Sequence, residues 1–243
     1  MNNQSFLLLL ALSFSYHSKA QLEVSSLDLD GNVTQWFDNT IGLVNLPINS
    51  GAHYAVYFSS TISHQFFANK RWLEMEISYS NQVYRDFLGL YDVASDNLLL
   101  RHPIQSFHSQ PVNISQEKVD WFTMNNHFFK NYDKSESPEG IQGFYDELYM
   151  GENVQLIVKR KKIAFPSQGE LTMDFRNFDM YFLKQDGVFK QISSRRSIIT
   201  ELWDYKKPLR RYIRKNMLRP KKGYDKDLVS LLEYYDSLIS IDE

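Results

Sequence analysis

Apolar and polar positions alternate with a period of two along much of the chain from residue 33 to residue 192. Leu73, Met75, Ile77 and Tyr79 fall on one side of such a run and Trp72, Glu74, Glu76 and Ser78 on the other, the pattern of a strand with one face toward a core. Ser80-Asn81-Gln82 breaks the run, and residues 83–91 read as its return strand. Residues 94–97 make the next turn and residues 98–101 the next strand. Connections this short join antiparallel neighbours, because a parallel pair needs a long crossover. Residues 143–150 lead through Gly151-Glu152-Asn153 into a strand over 154–163, with Val154, Leu156 and Val158 on one face and Gln155, Ile157 and Lys159 on the other. That strand closes on Lys159-Arg160-Lys161-Lys162, charges that discourage pairing where a strand lies at a sheet edge. Residues 178–183 turn through Gln185-Asp186-Gly187 into residues 188–192, and Asp-Gly between apolar segments is a strong hairpin signal. Residues 121–129 read as extended, with Asn125-Asn126 a bulge or turn, and residues 134–140 as a mobile loop.

The period changes after Ser193. Ile198, Ile199, Leu202 and Trp203 suggest a short helix. A second begins near Pro208, which suits a first turn because it has no N–H to bond, and runs to Met217 with Leu209, Tyr212, Ile213 and Met217 inward. Leu228, Leu231, Leu232, Tyr235, Leu238 and Ile239 recur at helical spacing in a third, with Asp225 and Asp227 at its dipole-favoured start. The fold class expected is therefore mainly β: an antiparallel curved sheet or partial barrel of hairpins, with a C-terminal helical hairpin packed on it (α+β overall). The strands are too short, and too often interrupted by Glu74, Glu76, Arg85 and Asp86, for a membrane-spanning barrel.

The first residues obey a different rule. Residues 6–14 are almost wholly apolar, and Ser18-Lys19-Ala20 offers a small-residue exit, the pattern of a signal peptide cut after Ala20. The apolar run is about half of the roughly 20 residues a membrane-spanning helix needs, so no transmembrane span is expected after cleavage. The expected organisation is a signal peptide over 1–20, an antiparallel β domain over 21–194 and a helical segment over 195–243. The sequence contains no cysteine. Gln21 follows the leader, so lipid anchoring through a cysteine there is not expected, and small eukaryotic secreted domains usually carry disulfides. The expected location is the periplasm, or the periplasmic face of the outer membrane, of a Gram-negative bacterium. In that setting the sequons at Asn32 and Asn113 carry no weight.

Net charge is −2, but it is unevenly spread. Residues 195–222 hold eleven Lys or Arg against Glu201 and Asp204, whereas residues 21–194 hold 14 basic against 21 acidic residues. Arg210, Arg211, Arg214 and Lys215 fall at spacings of three and four on the second helix and form a candidate docking stripe. Such a stripe attracts an anionic surface or an acidic protein face, or else pairs with the acidic body of its own chain. Basic and aromatic residues interleave over 205–215 as in nucleic-acid binders, but export argues against nucleic acid as the partner.

Catalytic motifs are weak. Ser115-Gln116-Glu117-Lys118 matches S-x-x-K without its companion elements, and there is no G-x-S-x-G, G-x-G-x-x-G or Walker A sequence. The histidines form no H-x-x-x-H or H-E-x-x-H; His102 and His108 could meet as a zinc pair, whereas His64 reads as a locally packed ring. Asp92 and Asp96 flank a turn that they would cap, and Asp146 and Glu147 point to opposite faces of one strand. No catalytic, cofactor-binding or metal-binding residues are assigned.

Residues 50–67, the hairpin over 72–103, the hairpin over 143–162 and the tail Lys226-Asp227-Leu228 through Leu238 resemble, in this order, a group of uncharacterised secreted proteins common in Bacteroidota. The likeness rests on a Tyr-Asp hairpin, a Gly-Phe-Tyr hairpin and a Leu-Leu-Glu-Tyr-Tyr-Asp tail; Ser80-Asn81-Gln82 departs from it where the group often has Asp-Gly. It implies an exported, mostly β envelope protein and brings no activity with it. The function expected is non-enzymatic: binding an envelope protein or an anionic envelope surface, or supporting an outer-membrane or periplasmic assembly. One alternative is a carrier of lipid or another apolar ligand, with Phe87, Tyr91, Phe144 and Tyr149 lining its pocket. Another is a glycan hydrolase using carboxylates that the sequence does not pair, with Asp92 and Asp146 the first to test.

Overall fold

Type I′-compatible turns set the frame. The structure, a computed structural model, describes residues 46–49, 51–54, 63–101, 111–167 and 172–242, all within one compact unit, Ile41–Glu243. The signal peptide expected over 1–20, the sequon at Asn32, and His102 and His108 lie outside the described residues.

Ser80-Asn81 joins β2 (Leu73–Tyr79) to β3 (Gln82–Asp92), and Asn125-Asn126 joins β6 (Val119–Met124) to β7 (His127–Tyr132). Asp186-Gly187 joins β12 (Met180–Gln185) to β13 (Val188–Ile192). All six turn residues have positive φ, the geometry whose twist matches that of paired strands. With β1 (Ala52–His53), β4 (Asn97–Leu100), β5 (Val112–Asn113), β8 (Gly143–Met150) and β9 (Gln155–Lys159) they form one antiparallel sheet. Its order is β1-β5-β4-β3-β2-β6-β7-β8-β9-β12-β13, curled into a half-barrel, and three helices follow it. The expected fold class, mainly β with a C-terminal helix pair, is the observed one.

The strand expected over 154–163 is broken at Arg160-Lys161. β9 ends at Lys159, and β10 (Lys162–Pro166) pairs with β11 (Met173–Asn177) in a separate two-stranded sheet. β9 is also no edge strand, because it lies between β8 and β12. The first two bases of the run that looked like an edge guard turn inward, Lys159 and Arg160 being only 6% and 7% exposed, while Lys161 stays exposed. Residues 134–140, expected to be a mobile loop, close on Asp133, whose Oδ1 accepts the backbone N–H of Ser135 at 2.8 Å and of Glu136 at 3.0 Å.

Two cores lie side by side on one face. The first fills the curl, with Met75, Ile77, Tyr91, Phe122, Phe129 and Phe144 all buried. Phe122 stacks on Phe129 at 4.7 Å, and Tyr91 meets Phe122 and Phe144 edge to face at 5.3 and 5.8 Å. The second lies between β9, β12 and the helices, where Leu156, Val158, Tyr181 and Leu183 meet Ile198, Leu209, Ile213, Leu228 and Leu232. As expected from the pleat, Ile157 faces the other way, toward Tyr132, Tyr145 and Phe182.

Candidate functional site

The helical segment starts from a reciprocal cap. Ser194 Oγ accepts the Ser197 N–H at 3.2 Å, and Ser197 Oγ accepts the Ser194 N–H at 3.1 Å. The helix so begun, α1 (Arg195–Glu201), buries Ile198 and Ile199 and leaves Arg195, Arg196 and Thr200 exposed. One 3-10 turn, Trp203–Tyr205, reverses the chain into α2 (Lys206–Lys215). Here Leu202 goes in and Trp203 comes out, 68% exposed. In α2, Leu209 and Ile213, four residues apart, are buried, and the Tyr212 ring stacks on Tyr234 of α3 (Asp225–Asp242) at 4.0 Å. That inner face fixes the outer one, so Lys206, Lys207, Arg210, Arg211, Arg214 and Lys215 are all exposed.

Between α1 and α2 runs a groove of about 830 Å³. Arg195, Arg196, Lys206, Arg210 and Arg214 line it together with Trp203, over Ile199 and Thr200. Among the described residues, none of the five cations has a carboxylate within ion-pair distance. Glu201, which is close in sequence, is held instead by Lys190 at 2.6 Å. The groove thus gathers five positive charges beside one exposed indole, an arrangement suited to holding an anion that presents several acceptor oxygens.

The stripe read from the sequence is split by this geometry. Arg210 and Arg214 line the groove, while Arg211 and Lys215 are exposed on α2 outside its lining. Arg195, Arg196 and Lys206 join the site only because the 3-10 turn folds α1 against α2. Their excess charge was visible in the sequence, but the reversal was not. Met217, expected to face the body, is 86% exposed: the helix ends at Lys215, and Met217 has φ 54°, so the chain has already turned out of it.

A buried ionic cluster sits at the seam between the two cores. Asp146 pairs in register with Phe129 of the first core and Val158 of the second, and it has no exposed surface. Its Oδ2 accepts from Arg160 Nε at 2.8 Å and Nη2 at 2.5 Å, and lies 2.8 Å from His127 Nδ1. Arg160 also reaches Asp179 at 3.1 Å and Asp225, at the start of α3, at 2.6 Å. Tyr181 donates to Asp225 at 2.7 Å. Burial alone would lower the Arg160 pKa, but the Asp146 and Asp225 carboxylates outweigh it and hold the guanidinium above its ordinary value. Burial and the bond to Asp225 push the Tyr181 hydroxyl well up. This cluster fastens β8, β12 and the β9–β10 link to the first turn of α3.

The other candidate residues have local roles. Asp92 Oδ1 accepts the backbone N–H of Ala94 at 2.9 Å and of Ser95 at 3.2 Å, the turn capping expected of it, and its other oxygen accepts from Tyr54. Asp96 does not cap its own turn. It accepts from Tyr91 at 2.6 Å, from Gln116 at 2.9 Å and from Lys159 at 2.6 Å, across the curl of the sheet. Glu147 lies on the face opposite Asp146, accepting from Tyr132 at 2.8 Å. The His64 ring stacks near Phe66, and burial, with Lys162 and Lys70, lowers its pKa. Tyr91 and Phe144 are core residues, Phe87 packs against that core, and Tyr149 donates to Asp236 at 2.7 Å. Ser115 Oγ lies 3.2 Å from Glu117 in the S-x-x-K segment. Among the described residues, no three His, Asp or Glu side chains converge to hold a metal ion.

No protein-family model matches this sequence, and no curated protein and no solved structure is significantly similar to it.

Proposed function

We propose that this is a non-catalytic binding protein of the bacterial cell envelope that docks on an anionic partner through the groove between α1 and α2. The observation that carries this reading is the set of five groove cations that, among the described residues, have no carboxylate within ion-pair distance, beside the exposed Trp203. Clustered like charges repel one another, and a folded chain with carboxylates to spare would relieve that repulsion by pairing them. Here the excess is presented to solvent, while Arg160, Lys159 and Lys190, the bases that serve the fold, each hold an acidic partner. The leader and the lack of cysteine support the periplasm, or the periplasmic face of the outer membrane, as the place of action.

The test is affinity capture after cross-linking in intact envelopes, comparing the native chain with a variant carrying Gln at Arg195, Arg196, Arg210 and Arg214. A partner captured by the native chain and lost from the variant supports the reading. Capture that is indifferent to the four substitutions places binding elsewhere.

A further inference from the structure

We infer that the groove recognises the phosphates of anionic lipid headgroups, and that the protein docks peripherally on a bilayer surface with Trp203 at the interface. This rests on the reading of the groove as an anion-docking surface and adds the chemistry of what is docked.

Three observations carry it. The first is the kind of cation. Four of the five are arginines, whose planar forks bind phosphate oxygens in pairs. The second is the apolar surface beside them. Trp203 is 68% exposed within the groove, and Met217, just past the end of α2, is 86% exposed. A soluble polyanion is served by the cations alone and leaves an indole in water. A bilayer interface takes both, since tryptophan settles at headgroup level and arginine reaches the phosphates. The third is orientation. α2 packs its inner side against α3 and the sheet through Leu209, Ile213 and Tyr212, so its cationic side faces away from a body whose described residues between 46 and 194 are nearly balanced, 16 acidic against 14 basic. An anionic surface would therefore attract the cationic side of α2 far more than the nearly neutral body behind it, which favours one docking pose before contact. No described helix is long and apolar enough to cross a membrane, and α2 is held by its own core. Docking is then a surface event and not an insertion.

The experiment is co-sedimentation of the purified chain with phosphatidylcholine vesicles containing about 30% phosphatidylglycerol and with phosphatidylcholine alone, at low and high salt. Retention on immobilised dextran sulfate is measured in parallel. The expected result is binding to the anionic vesicles alone, abolished by high salt. Exchanging Arg195, Arg196, Arg210 and Arg214 for Gln should weaken it by about 100-fold or more, given roughly fivefold per basic residue at such a surface. Tryptophan emission should shift to the blue on binding, and the shift should disappear in Trp203→Phe. If the fourfold variant does not fold by circular dichroism, the pairs R195Q/R196Q and R210Q/R214Q are tested separately, each expected to lose at least tenfold. Groove-dependent retention on dextran sulfate without vesicle binding overturns the lipid inference and leaves the anion-docking function standing. Groove-independent or absent binding in both arms removes both. Equal binding to neutral and anionic vesicles also overturns the inference.

Discussion

Arg160 grips Asp146 through both Nε and Nη2, at 2.8 and 2.5 Å, at a point in the sheet where Asp146 has no exposed surface. The pair lies where the curled half of the sheet meets the helix-covered half, and the same guanidinium reaches Asp225 at the start of α3. Removing one partner of a buried pair strands the other's charge, so Arg160→Met should cost about 3–5 kcal/mol. Replacing both by apolar residues should cost much less than the two single changes together. Urea unfolding of the two single variants and the double variant measures this; additive losses would show that the pair is not coupled.

Gly143 is set by a similar junction. It has φ 116°, and a Cβ there would fall on the Asp96 carboxylate and the Lys159 ammonium, which bond each other at 2.6 Å. Gly143→Ala should therefore destabilise by more than the roughly 1 kcal/mol of an ordinary glycine replacement, because it adds the loss of that buried bridge to backbone strain. Thermal unfolding of this variant beside Gly187→Ala, where an added Cβ meets nothing within 4 Å although φ is 79°, separates the bridge from the strain. Equal losses at the two sites would contradict the account.

Alkaline pH should unfold the protein. Tyr79, Tyr91, Tyr132, Tyr145, Tyr149, Tyr181 and Tyr235 all have hydroxyls raised above their ordinary 10.0, burial being the largest cause in each. The unfolded chain loses these protons near pH 10 and the folded one keeps them, so their contribution is complete below pH 10 and is lost as pH rises above it. Lys159 and Lys162, lowered from 10.5 by burial, act in the opposite sense but are two against seven. Stability from urea titrations should fall steeply above about pH 10, with tyrosinate absorbance rising only on unfolding. Free titration of most tyrosines in a folded protein would contradict this.

The elements that local chemistry dictates were legible in the sequence. Ser80-Asn81, Asn125-Asn126 and Asp186-Gly187 are turns because Asn, Asp and Gly tolerate positive φ, and α3 is a helix because Leu228, Leu231, Leu232 and Tyr235 share one face. What failed to show depends on distant partners. Arg160 reads as a solvated base until Asp146, Asp179 and Asp225 arrive from three other segments to bury it. β11 was missed because its five residues, Met-Asp-Phe-Arg-Asn, are mostly polar and pair only with β10, outside the main sheet. The groove was half visible: helical spacing placed Arg210 and Arg214 together, but only the reversal at Trp203–Tyr205 brings Arg195 and Arg196 to them.

The central claim is that the groove, and not the overall positive charge of the helical segment, is the binding surface. Two variants that remove the same charge decide it: R210Q/R214Q inside the groove and R211Q/K215Q outside it, all four positions being exposed. Surface changes of this kind should each leave stability within about 0.5 kcal/mol. The salt concentration that elutes the protein from an immobilised polyanion is the direct measurement, since exposed charges are screened within about 10 Å at 0.1 M salt. The account predicts that R210Q/R214Q elutes at much lower salt than the native chain, whereas R211Q/K215Q elutes close to it. Equal shifts in the two variants, or a larger shift for R211Q/K215Q, would contradict it.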